Sequence, residues 1–364
     1  MSFSPLPVLM IVPTGIGCSI GGYAGDALPS ARLLAAASGC LITHPNVMNG
    51  ASLYWRDPRI YYVEGWALNQ FVSSKIFLMP VRQQQIGLLI DSGIEPDLIL
   101  RHLQVADACR ATLGLNIGPI VTTDQPLKVK LTLGGIGISW GHIGSPDSLI
   151  RAGEKLRDLG STAIAIIARF PDDCVDSSLS SYRQGNGVDS LAGAEAIISH
   201  LLGSHLKIPC AHAPALNPVS ITPMIDPRVA GEEIGYTFLP SVLVGLSQAP
   251  SICNTSLYNQ CREYNGWYRE GPITSNDIGA IVVPSSALGS EAVLTCSEKN
   301  IPIITVEENT SVLKVEADQL NIHHTPVRSY AEAAGLILAL REGIAFGSLF
   351  RPINGLTLHS ENYI

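Results

Sequence analysis

Charge is scarce in this chain. Only 15% of its 364 residues are Asp, Glu, Lys or Arg, the formal net charge is −8, and no block of lysines and arginines occurs. Nucleic acids and anionic membranes are held by basic footprints, so neither is an expected partner. Long apolar runs are absent too, and no segment approaches the roughly 20 apolar residues of a spanning helix. The stretch from Leu6 to Val12 lacks a preceding basic region and a small-residue cleavage site, which reads as a cytoplasmic protein. The eight cysteines (18, 40, 109, 174, 210, 253, 261 and 296) include no Cys-x-x-Cys pair. Buried reduced thiols are expected rather than a disulfide framework or a zinc knuckle. No His-x-x-x-His spacing is present, so no metal is expected, and no motif specifies a cofactor.

Apolar residues, by contrast, are plentiful. They make up 46% of the chain, and the mean hydropathy is +0.25. That is enough for a large core. With so little charge on the outside, some surface is expected to be covered by another copy, as in a homo-oligomer.

Short apolar runs recur at Val8 to Val12, Cys40 to Thr43, Ile60 to Val63, Ile86 to Asp91, Val129 to Leu133, Ala163 to Ala168, Ile208 to Ala211, Ala280 to Val283 and Ile303 to Val306. Their lack of strict alternation is the pattern of parallel strands buried on both faces. The expected class is α/β, with mainly parallel sheets and helices on both faces. Three helices are well marked. Ser145-Pro146-Asp147 starts one that carries Leu149, Ala152, Leu156 and Leu159 and stops at Gly160. Asp189 and Gly203 bracket a second, and Ser329-Tyr330-Ala331-Glu332 reads as the capping box of a third running to about Gly343.

Two strings nearly repeat: Gly15-Ile16-Gly17-Cys18-Ser19-Ile20-Gly21 and, 120 residues later, Gly135-Ile136-Gly137-Ile138-Ser139-Trp140-Gly141, identical at five of seven positions. Each follows an apolar run and precedes a helix candidate. The repeat suggests two Rossmann-like lobes, residues 1–125 and 126–364. A dinucleotide fingerprint would need a third glycine where Ile20 and Trp140 stand, and a Walker loop would need Gly-Lys-Ser/Thr, which is missing. The strings do match Gly-x-Ser-x-Gly, the elbow of serine hydrolases, with Ser19 or Ser139 as nucleophile. After Ser139, however, the helix cap arrives only at Ser145, too late for an elbow. A loop of free amides gripping a carboxylate or phosphate fits better, against the alternative of tight turns that merely pack strand on helix. Cys18, inside the first loop near a helix start, is a further nucleophile candidate.

In open parallel sheets ligands gather at the carboxyl ends of the strands. Here those ends carry His44, Asn46 and Asn49; Arg169, Asp172 and Asp173; His212, Pro214 and Asn217; Pro284, Ser285 and Ser286; and Glu307, Glu308 and Asn309. Substrate contacts are therefore expected from Gly15, Gly17, Ser19, Gly21, Asn46, Gly135, Gly137, Ser139, Gly141, Arg169, Ser285, Ser286, Glu307 and Asn309. His44, His142 and His212 can exchange protons near neutral pH and are the expected catalytic residues. Asp226-Pro227-Arg228 reads as a helix start, with Glu232 and Glu233 within two turns as further acid-base candidates. The expected function is an isomerase, lyase or hydrolase of small-molecule metabolism acting on an anionic substrate. A serine hydrolase and a noncatalytic metabolite sensor are the alternatives.

Several strings are distinctive: Pro13-Thr14-Gly15-Ile16-Gly17, Thr43-His44-Pro45-Asn46, Gly141-His142-Ile143-Gly144-Ser145-Pro146-Asp147-Ser148, Asp226-Pro227-Arg228 and Val306-Glu307-Glu308-Asn309. In these the chain resembles, over almost its full length, DUF3326, a family of uncharacterised cyanobacterial and plastid proteins. The resemblance implies a phototroph-associated cytosolic or stromal protein. It brings no reaction and no catalytic residue.

Overall fold

The computed structural model describes residues 4–50, 57–134, 138–172, 176–186, 188–218, 221, 223–233, 237–258, 271–353 and 355–356. Gly135 and Gly137 lie outside the described residues, as do Asp173, Cys174 and Cys261.

The first half of the chain forms β1 (Leu6–Met10), α1 (Leu28–Ser38), β2 (Gly39–Thr43), α2 (Pro45–Met48), β3 (Ile60–Tyr62), α3 (Gly65–Val72), β4 (Ile76–Met79), β5 (Ile86–Ile90), α4 (Pro96–Leu113), β6 (Ile117–Thr122), β7 (Val129–Gly134), β8 (Ile138–Ile143), α5 (Pro146–Asp158) and β9 (Ala163–Arg169). The second half adds α6 (Asp176–Arg183), α7 (Ala192–Leu206), β10 (Cys210–Ala215), α8 (Pro227–Glu233), α9 (Leu239–Ser247), β11 (Ser251–Asn254), β12 (Ala280–Pro284), α10 (Glu291–Glu298), β13 (Ile303–Val306), α11 (Ala317–Leu320), β14 (Thr325–Val327) and α12 (Tyr330–Arg341).

Two parallel sheets organise these elements, one of six strands ordered β14-β13-β12-β1-β2-β3 and one of four ordered β10-β9-β5-β6. Each sheet takes strands from both sides of residue 125, so the boundary expected there does not separate one sheet from the other. Successive strand residues point to opposite faces, and the burial follows that period of two. In β1, Val8 and Met10 join the core shared by both sheets, while Leu9 joins the layer beneath α3 and α10. In the smaller sheet, Leu88, Ala165 and Ala213 face the shared core, whereas Leu89, Ile164 and Ile166 face α5 and α7. Helices therefore cover both faces of both sheets, which is why the strands read as nearly unbroken apolar runs.

The three marked helices form as α5, α7 and α12. Ser329 caps α12 by accepting the Glu332 amide, and the Glu332 carboxylate turns back to the Arg328 amide at 2.7 Å. One element differs in kind from the sequence reading. The run from Val129 does not lead through a glycine loop into a helix but pairs antiparallel with β8 as a hairpin, from Val129 opposite Ile143 to Gly134 opposite Ile138. The six described cysteines are all free thiols.

Candidate active site

The first glycine string follows β1, the strand at which the six-stranded sheet changes direction of growth. Three of its amides are already engaged. Ser19 N–H donates to the Thr310 carbonyl at 2.9 Å, Ile20 N–H to Asn309 Oδ1 at 2.9 Å, and Gly21 N–H to the Asp26 carboxylate. Val312 N–H closes on the Gly17 carbonyl at 3.0 Å. Asn309 is fully buried and spends its amide on the Ile20 carbonyl and Tyr330 hydroxyl. Ser285 N–H bonds the Val306 carbonyl, Ser286 pairs with Ser311 at 3.0 Å, and Glu307 is exposed.

The two strings do meet. Ser139 N–H donates to the Gly15 carbonyl at 3.1 Å, and Ile16 bridges Ile138. Among the described residues their contact is a seam closely packed at Gly15 and Gly141. A Cβ on Gly15, whose φ is +68°, would stand 2.6 Å from Ser139 Oγ, and one on Gly141 would stand 2.2 Å from the Ala194 Cα. These glycines serve close backbone approach between loop, hairpin and α7. Ser139 Oγ accepts the Gly193 amide at 3.0 Å, and Ser19 Oγ lies 2.8 Å from Thr310 Oγ1. Among the described residues neither serine bonds a histidine, so the elbow geometry of a serine hydrolase is not assembled. The Cys18 thiol donates to Asn309 Oδ1 at 3.0 Å, and burial pushes it up to about 11, far from a reactive thiolate.

The three histidines part company. His44 is buried at the start of α2 and accepts the Val12 amide on Nε2 at 3.1 Å; burial pushes its pKa down to about 4, so it stays neutral. His142 is exposed on the hairpin. His212 is 5% exposed and lies inside β10, three residues before its end rather than just after a strand. While Ala211 and Ala213 face the shared core, His212 leaves on the opposite side and lines a cavity of about 620 Å³.

That cavity brings eight titratable side chains to one wall system. It lies where α6, α7 and α8 come together beside the end of β10, and Asn49 and Asn217 reach its wall. Tyr182 on α6 donates its hydroxyl to the Glu232 carboxyl on α8 at 2.7 Å, and the Ala24 amide also bonds that carboxyl. Glu232 is buried; desolvation, reinforced by the charges of Asp189 and Glu195, raises its pKa well above the usual carboxylate range. Asp189 accepts the Leu191 amide at 2.8 Å, and burial, with Glu195 adding repulsion, brings it to about 7. From the first turn of α7, Glu195 places Oε1 3.2 Å from His212 Nε2, off the direction of a hydrogen bond. Arg183 is held by Glu233 at 2.7 Å, and Arg169, beyond the wall, grips Glu95 and Asp172.

Of the residues expected to contact substrate or carry catalysis, the structure thus brings His212 and the acid-base candidates Glu232 and Glu233 to this cavity. Asn46 bonds the Gly21 carbonyl instead, and Arg169 acts on the wall through Asp172. Tyr182, Asp189 and Glu195 escaped the sequence reading, the last two because an acid at a helix start looks like a cap.

The model of a protein family of unknown function, DUF3326, matches residues 7–350. The chain belongs to the DUF3326 family. It is similar to an uncharacterised lipoprotein of a Synechococcus strain, 48% identical over 339 residues that cover 93% of this chain and 92% of that protein. This relative corrects the cytoplasmic location expected for the DUF3326 chain, because the designation lipoprotein points to a membrane-anchored protein. Among the described residues no helix is long and apolar enough to cross a membrane.

Proposed function

We propose that this DUF3326 protein is an enzyme of small-molecule metabolism, an isomerase, lyase or hydrolase, working by proton transfer in the cavity between α6, α7 and α8. One observation carries the reading. The buried Glu232 carboxyl under Tyr182 is pushed toward its protonated form, while His212 and Glu195 meet across the same cavity at 3.2 Å. A carboxyl held in its protonated form beside an imidazole gives one site both a proton donor and a proton acceptor. Glu232 is the proton donor in this scheme, His212 the acceptor, and Glu195 the carboxylate that orients and balances the imidazole. A volume of about 620 Å³ suits a metabolite rather than a polymer. The substrate grip shifts with the chemistry, from the glycine strings to the cavity.

The test is untargeted mass spectrometry of a cyanobacterial metabolite extract incubated with the protein. The expected result is one metabolite consumed and one formed by the wild type, and neither change with His212→Asn or Glu232→Gln at an unchanged melting temperature. Binding of a metabolite with no conversion would instead support the sensor reading.

The proposal keeps the homo-oligomer. Trp140 is 59% exposed on the hairpin and Ile120 is 50% exposed on β6, apolar surface of the kind a second copy covers. Light scattering on the eluting protein gives the mass directly.

A further inference from the structure

The cavity's charge is one-sided. Five carboxyl side chains, Asp172, Asp189, Glu195, Glu232 and Glu233, line it against the guanidinium of Arg183 among the described residues. Asp172 is neutralised by Arg169 and Glu233 by Arg183, which leaves Asp189 and Glu232 without a cation and Glu195 with the His212 imidazole alone beside it. Carboxylates gathered away from water without a counter-charge are costly, and a bound cation removes that cost.

Hydrogen bonding points the same way. Glu232 has the Tyr182 hydroxyl and Asp189 the Leu191 amide. The buried His212 Nε2 has no hydrogen-bond partner among the described residues, although the Glu195 carboxylate lies 3.2 Å from it. With the imidazole proton on Nδ1, as the role of proton acceptor requires, Nε2 and the Glu195 carboxylate are two acceptors that converge with no donor directed between them. A group rich in donors and lacking acceptors completes such a pair, and an ammonium, with three N–H donors, is that group. A phosphate or carboxylate would bring more acceptors and more negative charge. A metal ion is not favoured, because no three ligating side chains converge among the described residues. The remaining walls, which include Pro214, Leu216, Val229 and Phe238, are apolar.

Resting on the reading of this cavity as the small-molecule site, we infer that it takes a primary amine, bound as its ammonium ion between Glu195 and His212, with an apolar body against the opposite wall. The site then differs from the sequence expectation in the sign of its ligand. Asp189 lines the same cavity as Glu195 on α7, Glu232 on α8 and Tyr182 on α6, and its ionisation adds a second negative charge toward the bound cation. Affinity for the amine therefore rises with pH through about 7, and binding releases protons.

Isothermal titration of the full chain with n-hexylammonium, hexan-1-ol and hexanoate tests this. Hexylammonium is expected to bind about tenfold more tightly at about pH 8 than at about pH 6, with heats in two buffers that report proton release. Glu195→Gln should weaken it at least about tenfold, and Asp189→Asn should flatten the pH dependence, so that a folding failure of one variant leaves the other. Hexanoate binding in place of hexylammonium, affinity falling with pH, or Glu195→Gln binding as tightly as wild type would each overturn the inference. The two proposals fail separately. Amine binding without turnover of any metabolite removes the catalytic reading alone, and turnover without amine binding removes the ligand class alone.

Discussion

The amide of Ser139 donates to the carbonyl of Gly15 at 3.1 Å, a bond that joins the two near-identical strings of the sequence. Because Gly141 lies against the Ala194 backbone in the same seam, Gly141→Ala forces the hairpin and α7 apart. Overpacking of this kind costs about 1–3 kcal/mol. Urea unfolding should show a lower midpoint with hexylammonium binding to the folded protein retained. An unshifted midpoint would mean that the seam is not as tight as described.

The three histidines should separate in a single set of variants. His44→Ala leaves the buried Val12 amide unpaired, which costs about 1–3 kcal/mol and lowers the melting temperature. His142→Ala, on an exposed hairpin position, should change neither stability nor turnover. His212→Asn should remove turnover while the protein still melts cooperatively. Thermal melts beside the metabolite assay decide it, and loss of turnover in His142→Ala would move the chemistry to the hairpin.

Stability should depend on pH through Asp189 in a defined direction. Its pKa rises from 3.8 to about 7 on folding, so between those values the folded state holds the proton more tightly than the unfolded chain. The stabilisation from this group is therefore complete below about pH 4 and lost as pH rises toward 7, with a limiting slope of about 1.4 kcal/mol per pH unit. Asp189→Asn should remove that decline. Denaturant titrations of both proteins across this range give the difference directly, and parallel curves would show that Asp189 titrates alike in both states.

β1 lies between β12 and β2 in the larger sheet, with Leu9 fully buried beneath α3 and α10. Leu9→Ala should cost about 2–5 kcal/mol. A chain begun at Cys18 lacks the whole strand and should yield no cooperative melt. A folded protein from that shortened chain would show that the sheet closes without β1.

Much of the architecture was legible because burial on both faces leaves a direct trace. Runs such as Ala163 to Ala168 have nowhere polar to point, and proline after serine before Asp147 marks a helix start by backbone geometry alone. The hairpin of β7 and β8 was not legible. Gly-Ile-Gly after an apolar run serves a helix turn and a strand turn equally, and the partner that decides, α7 pressing on Gly141, lies fifty residues away in sequence by rough count. The site was legible for His212, an imidazole in an otherwise apolar strand. Tyr182, Asp189, Glu195 and Glu232 come from three separate segments, and each taken singly is an ordinary helix or cap residue. Only their convergence in one cavity, and the burial that shifts Asp189 and Glu232, separates them from the rest.

The most direct test of the central claim is a crystal structure of the protein with the metabolite it converts. The expected density fills the cavity between Glu195 and Glu232, with a donor group within hydrogen-bond distance of His212 Nε2. Density lying instead against Gly15 to Gly21 and Ser139, with the cavity holding only water, would contradict it.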